Sequence, residues 1–522
     1  MAGRSHHRLP PEKLEIRLVV GKRSDGGSDL PDILCGGEQE PSVTRRLRTV
    51  YFDTPSHDLR LHQISLRVRE VDSSWRQTVK CETRIKSGLS HPIEVEGDVA
   101  GPKPDLRAIA DAKLRRRLRK IIGAKRLKQI FEKDIRRTTQ LVSDSDGNQI
   151  EIAYDDAAIK TTKDTEKFTE LKLGLKRGHP SGLMEVIRLL TENNIPIRLS
   201  SNSETERGCR CLLLNSDAEL KPVKLKPSAV ATGQKVPEAF RMIGLSTVAQ
   251  ILHNWSVVLN DTDSGGPHQL RIGVRFLRTL LRAFRPEIDS EELRRLERDL
   301  RELARIVGKL RDLDVLSLEV VGGLDRPDEL AAGFKELDKD LTARRERQRA
   351  AVREILRSQE MQTLQIRLAL LPNRLGWEHV RPDTPLTKRK VESIARKALD
   401  RSWRHARSLG KRIDKLSIEE RHDLRKKLKV LRYTLDAFSP LYQRKKFRRF
   451  VRDLKRLQDI FGYLNDATLA VQLHDRADTL ETNAVQQTIG YVVGYHASNS
   501  AFSWHDARRR WAKLVADDRP WS

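Results

Sequence analysis

The chain is poor in everything that would staple it or let it stack on flat ligands. Four cysteines in 522 residues, Cys35, Cys81, Cys209 and Cys211, are too few for a disulfide framework. Cys209 and Cys211 form C-x-C, and no second pair accompanies them, so the usual zinc-binding arrangement is excluded. They read as ordinary thiols of a reducing compartment. Aromatic residues make up only 5% of the chain, and the basic helical stretches hold no aromatic platform except Phe276 and Tyr433, so base stacking is weakly supported. Common DNA- and RNA-binding signatures are absent. No run of about 18 apolar residues occurs, and the start, MAGRSHHRLPPEK, has no apolar signal core. The expected location is the cytoplasm, with no membrane span.

Acidic residues are also scarce where they matter. The formal net charge is +27. Residues 1–220 carry 40 Lys and Arg against 33 Asp and Glu, whereas residues 221–522 carry 60 against 40. Such a field attracts polyanions: phosphate polymers, nucleic acid or an anionic surface. The length suggests about two to four domains.

What is present divides the chain in two. EIRLVV, LRTVYFDT, ISLRVREV, WRQTVKCETR, PIEVEG and IEIAYDDAAI are short β-type runs within residues 1–220. In ISLRVRE the apolar Ile64, Leu66 and Val68 point one way and Ser65, Arg67 and Arg69 the other. Two segments read as helices: ADAKLRRRLRKIIGAKRLKQI, and SGLMEVIRLLTENN with Ser181 as its N-cap candidate. Residues 221–239 form a linker candidate, since KPVKLKPSAVATGQKVP holds three prolines, four lysines and no acid. From about residue 240 to 515 the pattern is helical. The expected class is therefore α+β in the first part and all-α in the second.

The helical part repeats itself. HQLRIGVRFLR from His268 and HDLRKKLKVLR from His422 both fit H-x-L-R-x-x-x-[RK]-x-L-R. Downstream, LRELARIVGKLRD from Leu300 matches LKRLQDIFGYLND from Leu454 at the same offset of 154 residues. Gly308 thereby corresponds to Gly462, and Asp312 to Asp466. One plan is expected twice, over about 240–390 and 391–515.

Each copy places basic residues on one helical face. His268, Arg271, Arg275, Arg278 and Arg282 fall within an arc of about 80°, with Leu270, Val274, Leu277, Leu280 and Leu281 opposite. The second copy places His422, Arg425, Lys429 and Arg432 alike, with Lys426 beside them. Solvated faces usually mix signs, because like charges at i,i+4 repel. Here no acid occurs between Asp263 and Glu287. Arginine suits phosphate, since its planar fork donates two parallel hydrogen bonds and stays charged. A linear polyphosphate needs only regularly spaced cations. These residues are the candidate polyphosphate-binding set; nucleic acid is the weaker alternative partner.

The repeated motif with its G-x-L-[RN]-D segment resembles the CHAD domain, a helical module associated with polyphosphate binding. The first 215 residues resemble the CYTH domain, or triphosphate tunnel fold, through YFDTPSHDLRLHQISLRVRE, RQTVK, EVEGDVAGPKPDL, FEKDIRRTT and ETERG. That resemblance implies an antiparallel β-barrel with inward phosphate ligands and a divalent metal, Mg or Mn, held by carboxylates. Carried over by motif, Arg67, Arg69, Lys80, Arg136 and Arg137 would bind phosphate. Glu15, Glu94, Glu96, Asp155 and Glu170 would be the metal-side acids. CYTH followed by CHAD resembles bacterial inorganic triphosphatases.

Several positions depart from that pattern. The opening E-x-E-x-K reads Lys13-Leu14-Glu15-Ile16-Arg17. The late E-x-E-x-E-x-K reads Glu170, Lys172, Gly174, Lys176. The S-K-x-E-R-G segment has Glu204 in place of its lysine. Hard divalent cations depend on such oxygens. The expectation is a tunnel that binds triphosphate compounds but hydrolyses them poorly or not at all. A working metal-dependent inorganic triphosphatase is the alternative.

Overall fold

The computed structural model describes residues 14–21, 41–62, 64–71, 74–81, 93–161, 164–200, 220–227, 230–374, 389–442, 444–474, 482–516 and 519–521. Lys13 and the segment 203–208 lie outside these, as do Cys35, Cys209 and Cys211. The chain forms two compact units: residues 1–219 with 358–374, and residues 220–357 with 375–522.

The strands are β1 (Glu15–Val20), β2 (Val43–Asp53), β3 (Ile64–Val71), β4 (Ser74–Cys81), β5 (Ile93–Val99), β6 (Lys128–Ser143), β7 (Gln149–Lys160), β8 (Thr165–Arg177) and β9 (Ile197–Leu199). The main helices are α1 (Ala112–Ile122), α2 (Ser181–Glu192), α3 (Val236–Asn260), α4 (Gly265–Ile288), α5 (Glu291–Val315), α6 (Ala331–Arg357), α7 (Gln359–Arg374), α8 (Val391–Gly410), α9 (Ile418–Phe438), α10 (Lys445–His474) and α11 (Asn483–Ala516).

In the first unit all nine strands pair antiparallel in the order β5-β4-β3-β2-β6-β7-β8-β1-β9. Among the described residues β5 and β9 are both edges, so the sheet is open and "barrel" describes it only loosely. It is nevertheless curled. Glu15 on β1 and Lys80 on β4 interact electrostatically although β3, β2, β6, β7 and β8 separate them in the sheet.

Alternation sorts the side chains. Ile64, Leu66 and Val68 pack with Val79 and with Leu114 and Leu118 of α1. Ile16, Leu18, Ile150, Ile152, Leu171 and Leu173 pack under Leu183, Ile187 and Leu190 of α2. Each such aliphatic contributes about 1.5–3 kcal/mol on burial. The helices thus cover the apolar face and leave the charged face to the strands. The helix α1 is shorter than its pattern suggested. Asp111 caps it by accepting from the backbone N–H of Lys113 and Leu114, and Gly123, at φ 59°, ends it. The N-cap position of α2 is Pro180 rather than Ser181.

The helix α7 departs from the expected boundaries. It falls inside the first helical copy by sequence, yet Ile366 and Leu370 are fully buried against β1, β7, β8 and α2 of the sheet unit. The chain leaves the helical unit at residue 357, supplies one helix to the sheet, and returns. The proline-rich stretch is likewise not a free tether. Val223 donates its N–H to Asn254 Oδ1 (3.1 Å), and its carbonyl accepts from Gln250 and Asn254 of α3.

In the helical unit α4 packs on α5, α9 on α10, and α4 touches α9. The two H-x-L-R segments lie on α4 and α9, and the two G-x-L-[RN]-D segments on α5 and α10. Ser417 and Glu420 form a reciprocal capping box at the start of α9. The helix α3 is long and apolar enough to cross a membrane by length and composition, but most of it is buried inside the unit.

Replacing Leu370 with Ala should cost about 2–5 kcal/mol by leaving a cavity under α7. Thermal unfolding should show the loss in the sheet unit, read by the near-ultraviolet signal of Tyr51 and Trp75. A loss confined to the helical unit would contradict the assignment of α7.

Candidate functional sites

Residues directly opposite in an antiparallel pair share a face. The register therefore places Arg67 beside Tyr51 and Thr78, Arg69 beside Thr49 and Arg76, and Lys80 beside Ser65 and Glu94. On the same face Arg137 lies beside Asp155, Asp155 beside Glu170, and Lys172 beside Arg17. The motif residues do converge on one charged face, with one exception. Arg136 pairs with Arg46 and Asp156 on the opposite face and is exposed. Its neighbour Arg137 takes the inward place, because alternation admits only one of two consecutive residues.

The inward set also contains cations that motif matching passed over. Lys133 is fully buried, with its ammonium 5.4 Å from the Phe168 ring centroid. Its spacing from Arg137, two residues either side of Ile135, was the available signal. Asp53 of the YFDT segment has a structural task. Its carboxylate accepts from the backbone N–H of Thr54, Leu59 and Arg60 and so fixes the turn into Asp58–Leu61.

Every carboxylate expected on the metal side already has a protein cation. Asp155 is fully buried and clamped bidentately by Arg137 at 2.6 and 2.7 Å, with Lys172 Nζ at 3.0 Å. Burial alone would raise its pKa. The Arg137 hydrogen bond and the Lys172 charge outweigh that and hold it at about 2. Glu170 accepts from Ser200 Oγ at 3.1 Å and faces Lys172 at 3.8 Å. Glu15 accepts from Arg17 at 2.8 Å, Glu94 pairs with Lys80, and Glu96 lies 3.9 Å from Arg76. Among the described residues no group of three or more His, Cys, Asp or Glu is arranged to hold a metal ion. A hard divalent cation needs several free oxygens, so this donor set does not fit one.

The helical unit resolves its basic arc into unlike parts. Arg271 donates to Asp312 at 2.8 Å and reaches the Gly308 carbonyl at 3.3 Å. Arg282 donates to Glu297 at 2.8 Å, and Arg278 lies in the field of the same carboxylate, with its buried Nε unpartnered. Lys426 pairs with Asp423, Arg432 with Asp436, and His422 contacts Asn465. The acids absent from α4 arrive from α5. A single row of free charges, as the arc implied, is therefore not what forms.

What remains is a tighter patch. Arg271 and Arg275 from α4 meet Arg425 and Lys429 from α9, beside the edge-to-face contact of Phe276 and Tyr433 at 6.3 Å. Asp312 and Asp466 act on Arg275, Arg425 and Lys429 by charge, with no hydrogen bond to these three. Burial, then Arg425, Arg275 and Arg271, push the Lys429 ammonium down to about 6. Burial and Arg271 lower Arg275 to about 10. His268 falls to about 4 through burial and Arg311, so at neutral pH it is not a cation.

Residues 31–209 match the CYTH domain family, and residues 243–475 match the CHAD domain family. The chain is a CYTH domain followed by a CHAD domain. An uncharacterized protein of Mycobacterium tuberculosis is 25% identical over 425 residues, which is 76% of this chain and 77% of that protein. The inorganic triphosphatase of Haemophilus influenzae is 26% identical over 198 residues. That alignment takes in 38% of this chain and 54% of the enzyme, about half its length. A crystal structure of the CHAD domain from the plant Ricinus communis is 23% identical, with a TM-score of 0.49, covering 57% of this chain and 98% of that one. At the level of the family, the CYTH domain is one of triphosphate chemistry.

Two stability effects follow from these sites. Asp155→Asn in the CYTH domain leaves Arg137 and Lys172 without their shared carboxylate and should cost about 3 kcal/mol at pH 7. A depressed carboxylate pKa stabilises above its unfolded value and is lost as pH falls through the folded one. The difference between native and variant protein should thus narrow from about pH 4 down to about 2, by denaturant titration. In the CHAD domain the sign is reversed. A lysine lowered to about 6 penalises the fold at low pH, and the penalty fades as pH rises from 6 towards its ordinary value of 10.5. Lys429→Met should therefore stabilise the protein by about 1–3 kcal/mol at pH 7 and by less at pH 10.

Proposed function

We propose that the CHAD domain binds inorganic polyphosphate or a related phosphate polymer. We propose further that the CYTH domain binds triphosphate compounds and hydrolyses them weakly or not at all. The observation that carries the first reading is the patch of Arg271, Arg275, Arg425 and Lys429. Four basic side chains converge from two helices, and among the described residues three of them lack a hydrogen-bonded carboxylate. Burying like charges this way costs stability. A polyanion repays that cost, and arginine forks match its oxygens. The half-buried setting strengthens each such contact relative to open water. Binding should also recharge Lys429, so that polyphosphate uptake consumes protons near pH 7.

The proposed anion set is therefore narrower than the basic arc. Arg278 and Arg282 of the first copy, and Lys426 and Arg432 of the second, contribute field rather than contact. Burial lowers the pKa of His268 and His422, so these two fall outside the set.

Substituting alanine at Arg271, Arg275, Arg425 and Lys429 together should weaken polyphosphate binding by roughly a hundredfold or more at low salt. It should also flatten the dependence of affinity on salt. Unchanged affinity would remove the patch from the mechanism. Competition by DNA or RNA at fixed salt separates the nucleic-acid reading, which predicts equal or tighter binding than polyphosphate.

The similarity to an inorganic triphosphatase over the CYTH domain favours a second reading, hydrolysis of tripolyphosphate with a divalent metal. The paired state of Glu15, Glu94, Glu96, Asp155 and Glu170 argues against it. Phosphate release from tripolyphosphate by the full chain, with Mg or Mn, should not exceed the metal-free blank. Metal-dependent release well above that blank would establish the enzyme.

A further inference from the structure

The charged face of the CYTH domain carries a largely buried lysine between two acids. Lys172 Nζ lies 3.0 Å from Asp155 Oδ2 and 3.8 Å from Glu170 Oε2. One ammonium thus bridges carboxylates on the neighbouring strands β7 and β8. Its side chain is 11% exposed, and the two acids are almost wholly buried. A gap between two buried carboxylates offers oxygen donors of the kind a hard divalent cation takes. Here the positive charge in that gap grows from β8 itself, so a chelator cannot remove it.

The surroundings reinforce this. Arg17 stands opposite Lys172 in the β1–β8 register, Arg137 holds both oxygens of Asp155, and Lys133 is buried on the same face. A metal ion placed there would meet Lys172 and Arg137 as like charges, and every extra positive charge would raise the cost of entry. The same face carries Arg67, Arg69 and Lys80, with positions on β3 and β4 set by the same alternation, and Lys80 is paired with Glu94.

We propose that the charged face of the CYTH domain is a metal-independent binding site for linear triphosphates, in which the Lys172 ammonium stands where a divalent cation would otherwise bridge Asp155 and Glu170. This rests on the reading that the CYTH domain takes triphosphate compounds. The tethered cation supplies the fixed charge, and the surrounding arginines supply the hydrogen bonds to phosphate oxygens. Binding by this site does not require the metal–phosphate complex as its ligand.

The test uses the full chain with Arg275→Ala, Arg425→Ala and Lys429→Ala, so that tripolyphosphate reports on the CYTH domain. Calorimetry measures tripolyphosphate affinity in EDTA and in excess Mg²⁺. Electron paramagnetic resonance measures Mn²⁺ binding without phosphate. The expected result is binding in EDTA at least as tight as in Mg²⁺, and no stoichiometric Mn²⁺ below millimolar concentration. Adding Lys172→Glu should reverse both, with a roughly tenfold or greater loss of affinity in EDTA and a gain of bound Mn²⁺. Binding only in Mg²⁺, or tight Mn²⁺ binding before Lys172 is changed, would overturn the proposal while leaving the triphosphate reading intact. No binding in either buffer would overturn both. The comparison of EDTA with Mg²⁺ needs no change at Lys172, so it holds even if Lys172→Glu fails to fold.

Discussion

A positive charge withdrawn from water must be answered by a negative one, or its cost is carried by the fold. Both domains of this chain bury cations, and they meet that demand differently. In the CYTH domain the answer is internal. Asp155 serves Arg137 and Lys172 together, and Glu170 stands behind Lys172. In the CHAD domain it is incomplete. Arg271 has Asp312, whereas among the described residues Arg275, Arg425 and Lys429 have no hydrogen-bonded carboxylate and lie in the fields of Asp312 and Asp466. An internally matched lattice holds its shape without a ligand. An unmatched patch is held together by the packing beneath it, here the leucine rows of α4 and α9, and gains most when an anion arrives.

The same contrast bears on the departures from the tunnel pattern. Taken singly, Lys172 in place of an acid is a charge reversal inside a buried cluster and would be destabilising. Beside Asp155 and Glu170 it becomes a counter-ion. Arg17 does the like for Glu15. Lys172 and Arg17 each stand beside an acid that they neutralise, whereas Gly174 supplies no charge. The interior of the CYTH domain thus balances its buried acids with its own side chains.

The architecture also ties the two units through the chain itself. The helix α7 is made by the sequence of the second part and consumed by the core of the first, where Ile366 and Leu370 join Ile152, Leu171 and Leu173. A CYTH segment cut at the end of the β-rich region would keep its strands but lose part of the cover on its apolar face.

Much of this follows from short-range pattern. Period-two alternation separated Ile64, Leu66 and Val68 from Arg67 and Arg69, and the pleat leaves no other choice. The helical period placed Arg271 and Arg275, and likewise Arg425 and Lys429, on one face of each helix, and the offset of 154 residues matched α4 with α9. Local pattern is silent on what comes from elsewhere. It did not show that Asp312 and Glu297 would reach over from α5 to pair Arg271 and Arg282, because an acid-free stretch says nothing of the helix packed against it. It did not separate Arg137 from Arg136, since a motif match carries no strand register. Nor did it place α7, because an apolar face does not by itself say which core it enters. Propensity and periodicity act over a few residues. Counter-charge, burial and the choice of partner surface act across the folded molecule, and only the packed chain sets them.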